Sequence, residues 1–174
     1  MNVTVDGFLQ TKNQKIINGN GQEIFLTGVG LGNWLLPEGY MWKFGKGYGR
    51  PRTIEKLIQN LLGKKKADDF WSRFYRQYIT EADIQQIARE GFNSIRLPIN
   101  SRFILREGSD QDYISENIQL IDRLIGWCKK HKLYVFLDLH SAPGGQTGSN
   151  IDDSANDHPD LFRYDINKQK TIDL

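Results

Sequence analysis

The feature that most constrains this chain is an apolar run that hands over without a gap to polar chemistry. Leu133-Tyr-Val-Phe-Leu-Asp-Leu-His140 passes straight into Ser-Ala-Pro-Gly-Gly, so Asp138 and His140 stand where a strand meets a glycine-rich loop. In α/β proteins the carboxyl ends of parallel strands are where side chains meet ligand. Gly91-Phe-Asn-Ser-Ile-Arg-Leu-Pro-Ile-Asn100 repeats the pattern, with Arg96 inside an apolar run that Pro98 closes. Between the two, Ile114, Ile118, Ile121, Ile125 and Cys128 recur at steps of four and three, the stripe of one helix face. A helical crossover between strands forces parallel pairing. The pattern predicts an α/β fold built of consecutive β/α barrel units.

The rest of the chain fits that plan. Phe8-Leu-Gln and Lys15-Ile-Ile-Asn are short β-prone pieces, Asn18-Gly-Asn-Gly21 is a turn signal, and Glu23-Ile-Phe-Leu-Thr-Gly-Val29 reads as a strand. Residues 32–52 read as a loop rich in glycine and aromatics. Helices are expected over Thr53–Leu62 and Ala67–Tyr78. A third is opened by Thr80-Glu-Ala-Asp83, which resembles a capping box, and ends at Gly91. Strands over 93–99 and 133–139 flank the helix that runs to about His131. Residues 141–170 read as a long polar loop, and Thr171–Leu174 as the first turn of another helix. The organisation is a single partial domain over residues 1–174, with a hairpin over 8–22 and the first three β/α units over 23–174, stopping at the start of the third barrel helix. Three parallel strands do not close a barrel, which usually takes about 250 residues.

Composition limits the function classes. Of the 174 residues, 39% are hydrophobic and 25% charged, and the net charge is +2, so nothing draws the chain toward nucleic acid or acidic lipid. No run approaches the roughly 18 apolar residues of a membrane span. No basic segment followed by an apolar core marks a signal peptide at the N-terminus. The single cysteine, Cys128, lies on the apolar helix face and reads as a buried structural thiol.

Several segments carry chemistry. Gly28-Val-Gly-Leu-Gly32 after a strand suggests a dinucleotide loop, but Asn33 takes the third glycine's place and no helix start follows. Gly144–Asn150 lacks the lysine of a phosphate loop. A guanidinium inside an apolar strand has to be paired, so Arg96 is either a structural ion-pair partner or the residue that fixes a catalytic carboxylate. Asp138 and His140 are two apart on a strand and face the same way. They could orient the loop, supply two metal ligands, or place a histidine against a substrate hydroxyl. His131 and His158 carry no such signal. The loop Asn33-Trp-Leu-Leu-Pro-Glu-Gly-Tyr-Met-Trp-Lys-Phe44 is unusually aromatic. It either packs on itself or forms a sugar platform, with Trp34 stacking on a pyranose and Glu38 accepting from hydroxyls.

Three segments in order, Gly28-Val-Gly-Leu-Gly-Asn-Trp34, Ile95-Arg-Leu-Pro-Ile99 and Leu137-Asp-Leu-His-Ser-Ala-Pro-Gly-Gly-Gln146, resemble the first three strand-end motifs of glycoside hydrolase family 5. These are the cellulase and β-glucanase (β/α)8 TIM barrels, and the likeness is greatest to the exo-β-1,3-glucanase type. The resemblance implies a parent protein that hydrolyses β-linked glucans with retention, without cofactor or metal, with a β-glucan oligo- or polysaccharide as its partner. Members of the family suggest a secreted or extracytoplasmic setting. Arg96 would match the arginine that holds the nucleophilic glutamate, and His140 the histidine that bonds the sugar next to the cleaved bond. Trp34, Glu38 and Gln146 would line the substrate. The two catalytic glutamates of the family follow the fourth and seventh strands, past Leu174. The resemblance therefore implies that this chain supplies supporting residues, needs the remaining barrel half for a closed fold, and is inactive in isolation. Two other readings stand beside it: a metal-dependent TIM-barrel hydrolase using Asp138 and His140, and a non-catalytic carbohydrate-binding remnant.

Overall fold

A computed structural model describes residues 5–108, 112–149 and 152–174. Two sheets are formed. The first is an antiparallel hairpin of β1 (Gln10–Lys12) and β2 (Lys15–Ile17). The second is parallel, in the order β3 (Gly28–Gly30), β4 (Ser94–Asn100) and β5 (Tyr134–Ser141). Consecutive strands lie side by side because each crossover is helical. The first crossover holds α1 (Gly39–Trp42), α2 (Pro51–Leu62), α3 (Lys64–Gln77) and α4 (Glu81–Arg89), and the second holds α5 (Ser101–Ile104) and α6 (Ser115–Lys130).

The register sorts β4 into two faces. Ile95, Leu97 and Ile99 are buried against the helices, together with Ile84 of α4 and Ile121, Leu124 and Cys128 of α6. The expected stripe on α6 is the face that packs, although Ile125 is 39% exposed and lies off it. Arg96 falls on the opposite face, level with Phe136 of β5 and Gly30 of β3. At the other end of the sheet, the Tyr134 hydroxyl donates to the Asp6 carbonyl (3.0 Å) and accepts from its N–H (3.1 Å), tying the hairpin segment to the start of β5.

Some elements differ from the expectation. The hairpin turns at Asn13-Gln14, with Asn13 at φ 56°, while the Asn18–Gly21 signal forms a second turn in which the Asn18 side chain accepts from the N–H groups of Asn20 and Gln22. The strand expected over 23–29 is regular only from Gly28. Glu23 bridges back to Ile17 instead. α1 lies inside the loop expected over 32–52. The long loop expected over 141–170 contains α7 (Asp160–Arg163) and most of α8 (Asp165–Asp173), so Thr171–Asp173 is the last turn of a helix and not the first. Neither helix buries a residue, so no apolar stripe announces it.

Candidate functional site

Adjacent parallel strands bring three residues together: Arg96 from within β4, and Asp138 and His140 from the carboxyl end of β5. Pro98 is level with Asp138, which places the β5 pair one step beyond Arg96 on the same face. The Arg96 Nη2 lies 2.5 Å from Asp138 Oδ2 and 3.0 Å from His140 Nδ1, and Nδ1 lies 3.0 Å from the same Oδ2. Three polar groups thus form a closed triangle. Gly30 faces it from β3, where an added Cβ would already stand 4.0 Å from the guanidinium.

The loop after β3 supplies the next groups. Its first half folds inward: Leu31, Trp34, Leu35 and Leu36 are buried. Asn33, at φ 65°, turns the chain and its side chain accepts from the Glu38 N–H at 3.1 Å. Trp34 is completely buried, and its indole N–H donates to the Tyr75 carbonyl at 2.9 Å. The expected sugar platform at Trp34 is therefore corrected: the ring is part of the core and presents no face to a ligand. Glu38 is still buried, and the loop re-emerges at Tyr40, which is 69% exposed with its hydroxyl 3.5 Å from Glu38 Oε2. Gly39 permits this turn, because a Cβ there would sit 1.9 Å from the Tyr48 carbonyl oxygen. A wide depression of about 780 Å³ opens beside Tyr40, lined by Lys43, Lys46, Arg50, Thr53 and Asp157.

Burial pushes the Glu38 carboxyl above its ordinary pKa, with His140, Tyr40 and Arg96 pulling the other way. The Glu38 charge in turn holds the Tyr40 hydroxyl above its usual value. Glu38 thus belongs electrostatically to the Arg96–His140 cluster. Tyr40, and not Trp34, is the aromatic of this loop that stands exposed beside Glu38.

The loop after β5 is a second built element. Gln146 donates to the His140 carbonyl (2.6 Å) and accepts from the Ala142 N–H (3.1 Å). These two bonds brace the loop against the end of β5. Buried Asp153 accepts from Asn100 (2.9 Å), from Arg102 Nε (2.5 Å) and from the Arg52 N–H (2.9 Å). Arg102 also makes a two-pronged pair with Glu55. Buried Asp152 accepts from Thr147, Gly148 and Ser154. Burial raises its pKa, but the hydrogen bonds led by Thr147 outweigh that and leave it below the ordinary value. A cavity of about 330 Å³ behind this clamp is lined by Arg52, Arg102 and Arg106, each already in an ion pair.

Among the described residues no third His, Cys, Asp or Glu joins Asp138 and His140 in a ligand set, and the Arg96 cation already lies against both.

Three parallel strands with helical crossovers, and a polar cluster at their carboxyl ends, define a β/α-barrel type of protein. The family model for cellulase (glycosyl hydrolase family 5) matches residues 55–168, and the chain belongs to that family. It is 34% identical over 140 residues to a beta-xylosidase of Phanerodontia chrysosporium, covering 80% of this chain and 29% of that protein. It is 31% identical over 134 residues to a glucan 1,3-beta-glucosidase of Candida oleophila, covering 71% of this chain and 30% of that one. The chain thus spans about a third of the length of the curated relatives it matches. The crystal structure of a rutinosidase from Aspergillus niger superposes with a TM-score of 0.65 at 24% identity, over 84% of this chain and 42% of that one, and shows the shared fold.

Proposed function

We propose that the full-length protein is a retaining glycoside hydrolase acting on β-linked glucans, and that this chain supplies the part of the site that binds and orients the sugar. The observation that carries the reading is the Arg96–Asp138–His140 triangle, with Glu38 and Tyr40 beside it, at the carboxyl ends of adjacent parallel strands in a chain of this family. The two relatives described above share the word beta, which supports β-linked substrates, and the glucan in the name of the Candida oleophila protein supports a glucan.

Each group has a task that its chemistry fits. His140 and Glu38 offer hydrogen bonds to ring hydroxyls, and exposed Tyr40 offers a flat apolar face to the C–H side of a pyranose. Arg96 orients carboxylates in the site, Asp138 among them. Retention needs two carboxyl groups about 5–5.5 Å apart, one protonating the leaving oxygen and one attacking the anomeric carbon. That pair is supplied by strands beyond the three described here, as the family motif implies, so the 174 residues bind without turning over.

The test is a substrate panel on the full-length protein: β-1,3-, β-1,4- and β-1,6-linked gluco-oligosaccharides, xylo-oligosaccharides and an α-linked control. Release of reducing sugar from a β-glucan, reduced about 10- to 100-fold in Arg96→Lys, is the expected result. Absence of release from every β-glucan would refute the glucan reading.

A further inference from the structure

In the triangle of Arg96, Asp138 and His140, each place for the imidazole proton satisfies one neighbour of Nδ1 and opposes the other. His140 Nδ1 lies 3.0 Å both from Arg96 Nη2, which can only donate, and from Asp138 Oδ2, which as a carboxylate can only accept. If Nδ1 carries a lone pair, it takes a bond from Arg96 but faces the carboxylate oxygen acceptor to acceptor. If Nδ1 carries the proton, it stands donor to donor with Nη2, but both N–H groups converge on the charged Oδ2 of the ion pair. A bond to a charged acceptor is the stronger of the two choices.

We propose that Asp138 is a positioning residue that holds the His140 ring in the tautomer with its proton on Nδ1, leaving Nε2 as the acceptor for one substrate hydroxyl. The second half rests on the glycan reading above. Nε2 has no hydrogen-bond partner among the described residues. Gln146 fixes the backbone that carries the ring through its bond to the His140 carbonyl. Glu38 acts on the cluster from the loop after β3 without bonding to the ring. A tautomer set by the partner of the opposite ring nitrogen is the general way a histidine is committed to one role. The consequence is specific: His140 accepts a hydrogen bond from a sugar hydroxyl, so a deoxy or methoxy analogue at that position loses the contact.

The test is long-range ¹H–¹⁵N NMR of the imidazoles in the full-length protein at about pH 8, above the ordinary histidine pKa of about 6.5. His140→Gln assigns the signals by their loss. The expected result is a protonated Nδ1 and a bare Nε2 in the wild type. In Asp138→Ala only the donor Arg96 is left against Nδ1, so the proton moves to Nε2, and kcat/KM falls about 10- to 100-fold. A proton on Nε2 in the wild type overturns the role of Asp138 while leaving the glycan reading in place, and this measurement stands even if the variant does not fold. An unchanged tautomer in a folded Asp138→Ala overturns it as well. A protonated Nδ1 whose Nε2 signal stays fixed while laminari-oligosaccharide binds overturns the acceptor role, whereas failure of that oligosaccharide to bind overturns the glucan reading on which the acceptor role rests.

Discussion

Two aromatic residues six positions apart in one loop have opposite fates. Trp34 is in the core with its N–H bonded to Tyr75, whereas Tyr40 is exposed beside Glu38. Trp34→Ala is expected to cost about 3–5 kcal/mol, read by chemical denaturation. Tyr40→Ala should leave the melting temperature unchanged and weaken glycan binding, read by calorimetry on the full-length protein. Residue type alone did not separate the two. The separation is made by Asn33, whose left-handed backbone and bond to the Glu38 N–H turn the chain in and out again. Arg96 and His140, in contrast, were legible, because a charge inside an apolar strand needs a partner and residues two apart share a face. Glu38 adds a pH signature. Its folded pKa is raised above the ordinary 4.5, so the folded state binds the proton more readily than the unfolded one. Its contribution to stability is therefore full below the unfolded value and is lost as pH rises through the folded value. Glu38→Gln should raise the melting temperature at pH 7 and give no gain at about pH 3.

At the level of elements, the strands and α6 were readable because apolar runs and a four-three spacing report burial directly. The segment after β5 was not. It is polar throughout, so it reads as an open loop, yet Asp152 and Asp153 are buried within it, and Asp153 ties it to α2, α5 and the end of β4. Ties between residues fifty and a hundred positions apart leave no local pattern. Asp153→Ala would leave Arg102 and Arg52 without a shared carboxylate in a buried setting, and is expected to cost about 3–5 kcal/mol, read as a lower denaturation midpoint. Asp152 has the opposite pH sign from Glu38. Its folded pKa lies below the ordinary 3.8, so its stabilisation is present above that value and lost as pH falls through the folded one. Asp152→Asn should therefore destabilise at pH 7, and the difference from the wild type should shrink on acidification, measured by thermal melts across pH 2–7.

The chain is a parallel sheet with a helical layer on one face, and its edge strand β5 is incompletely covered on both faces. Phe136 is 40% and Leu137 is 56% exposed on β5, whose outer edge has no partner strand among the described residues. An exposed parallel edge with apolar side chains favours association. The 174-residue chain expressed by itself is expected to self-associate in sedimentation and to release no reducing sugar, while the full-length protein is monodisperse and active. The central claim is that the full-length protein cleaves a β-glucan with retention around the sugar held by Arg96, His140 and Glu38. The direct measurement is ¹H NMR of the anomeric protons during hydrolysis of a β-linked gluco-oligosaccharide by the full-length protein. Retention predicts that the β-anomer appears first and the α-anomer only as mutarotation proceeds. First appearance of the α-anomer, or no cleavage at all, would contradict the account.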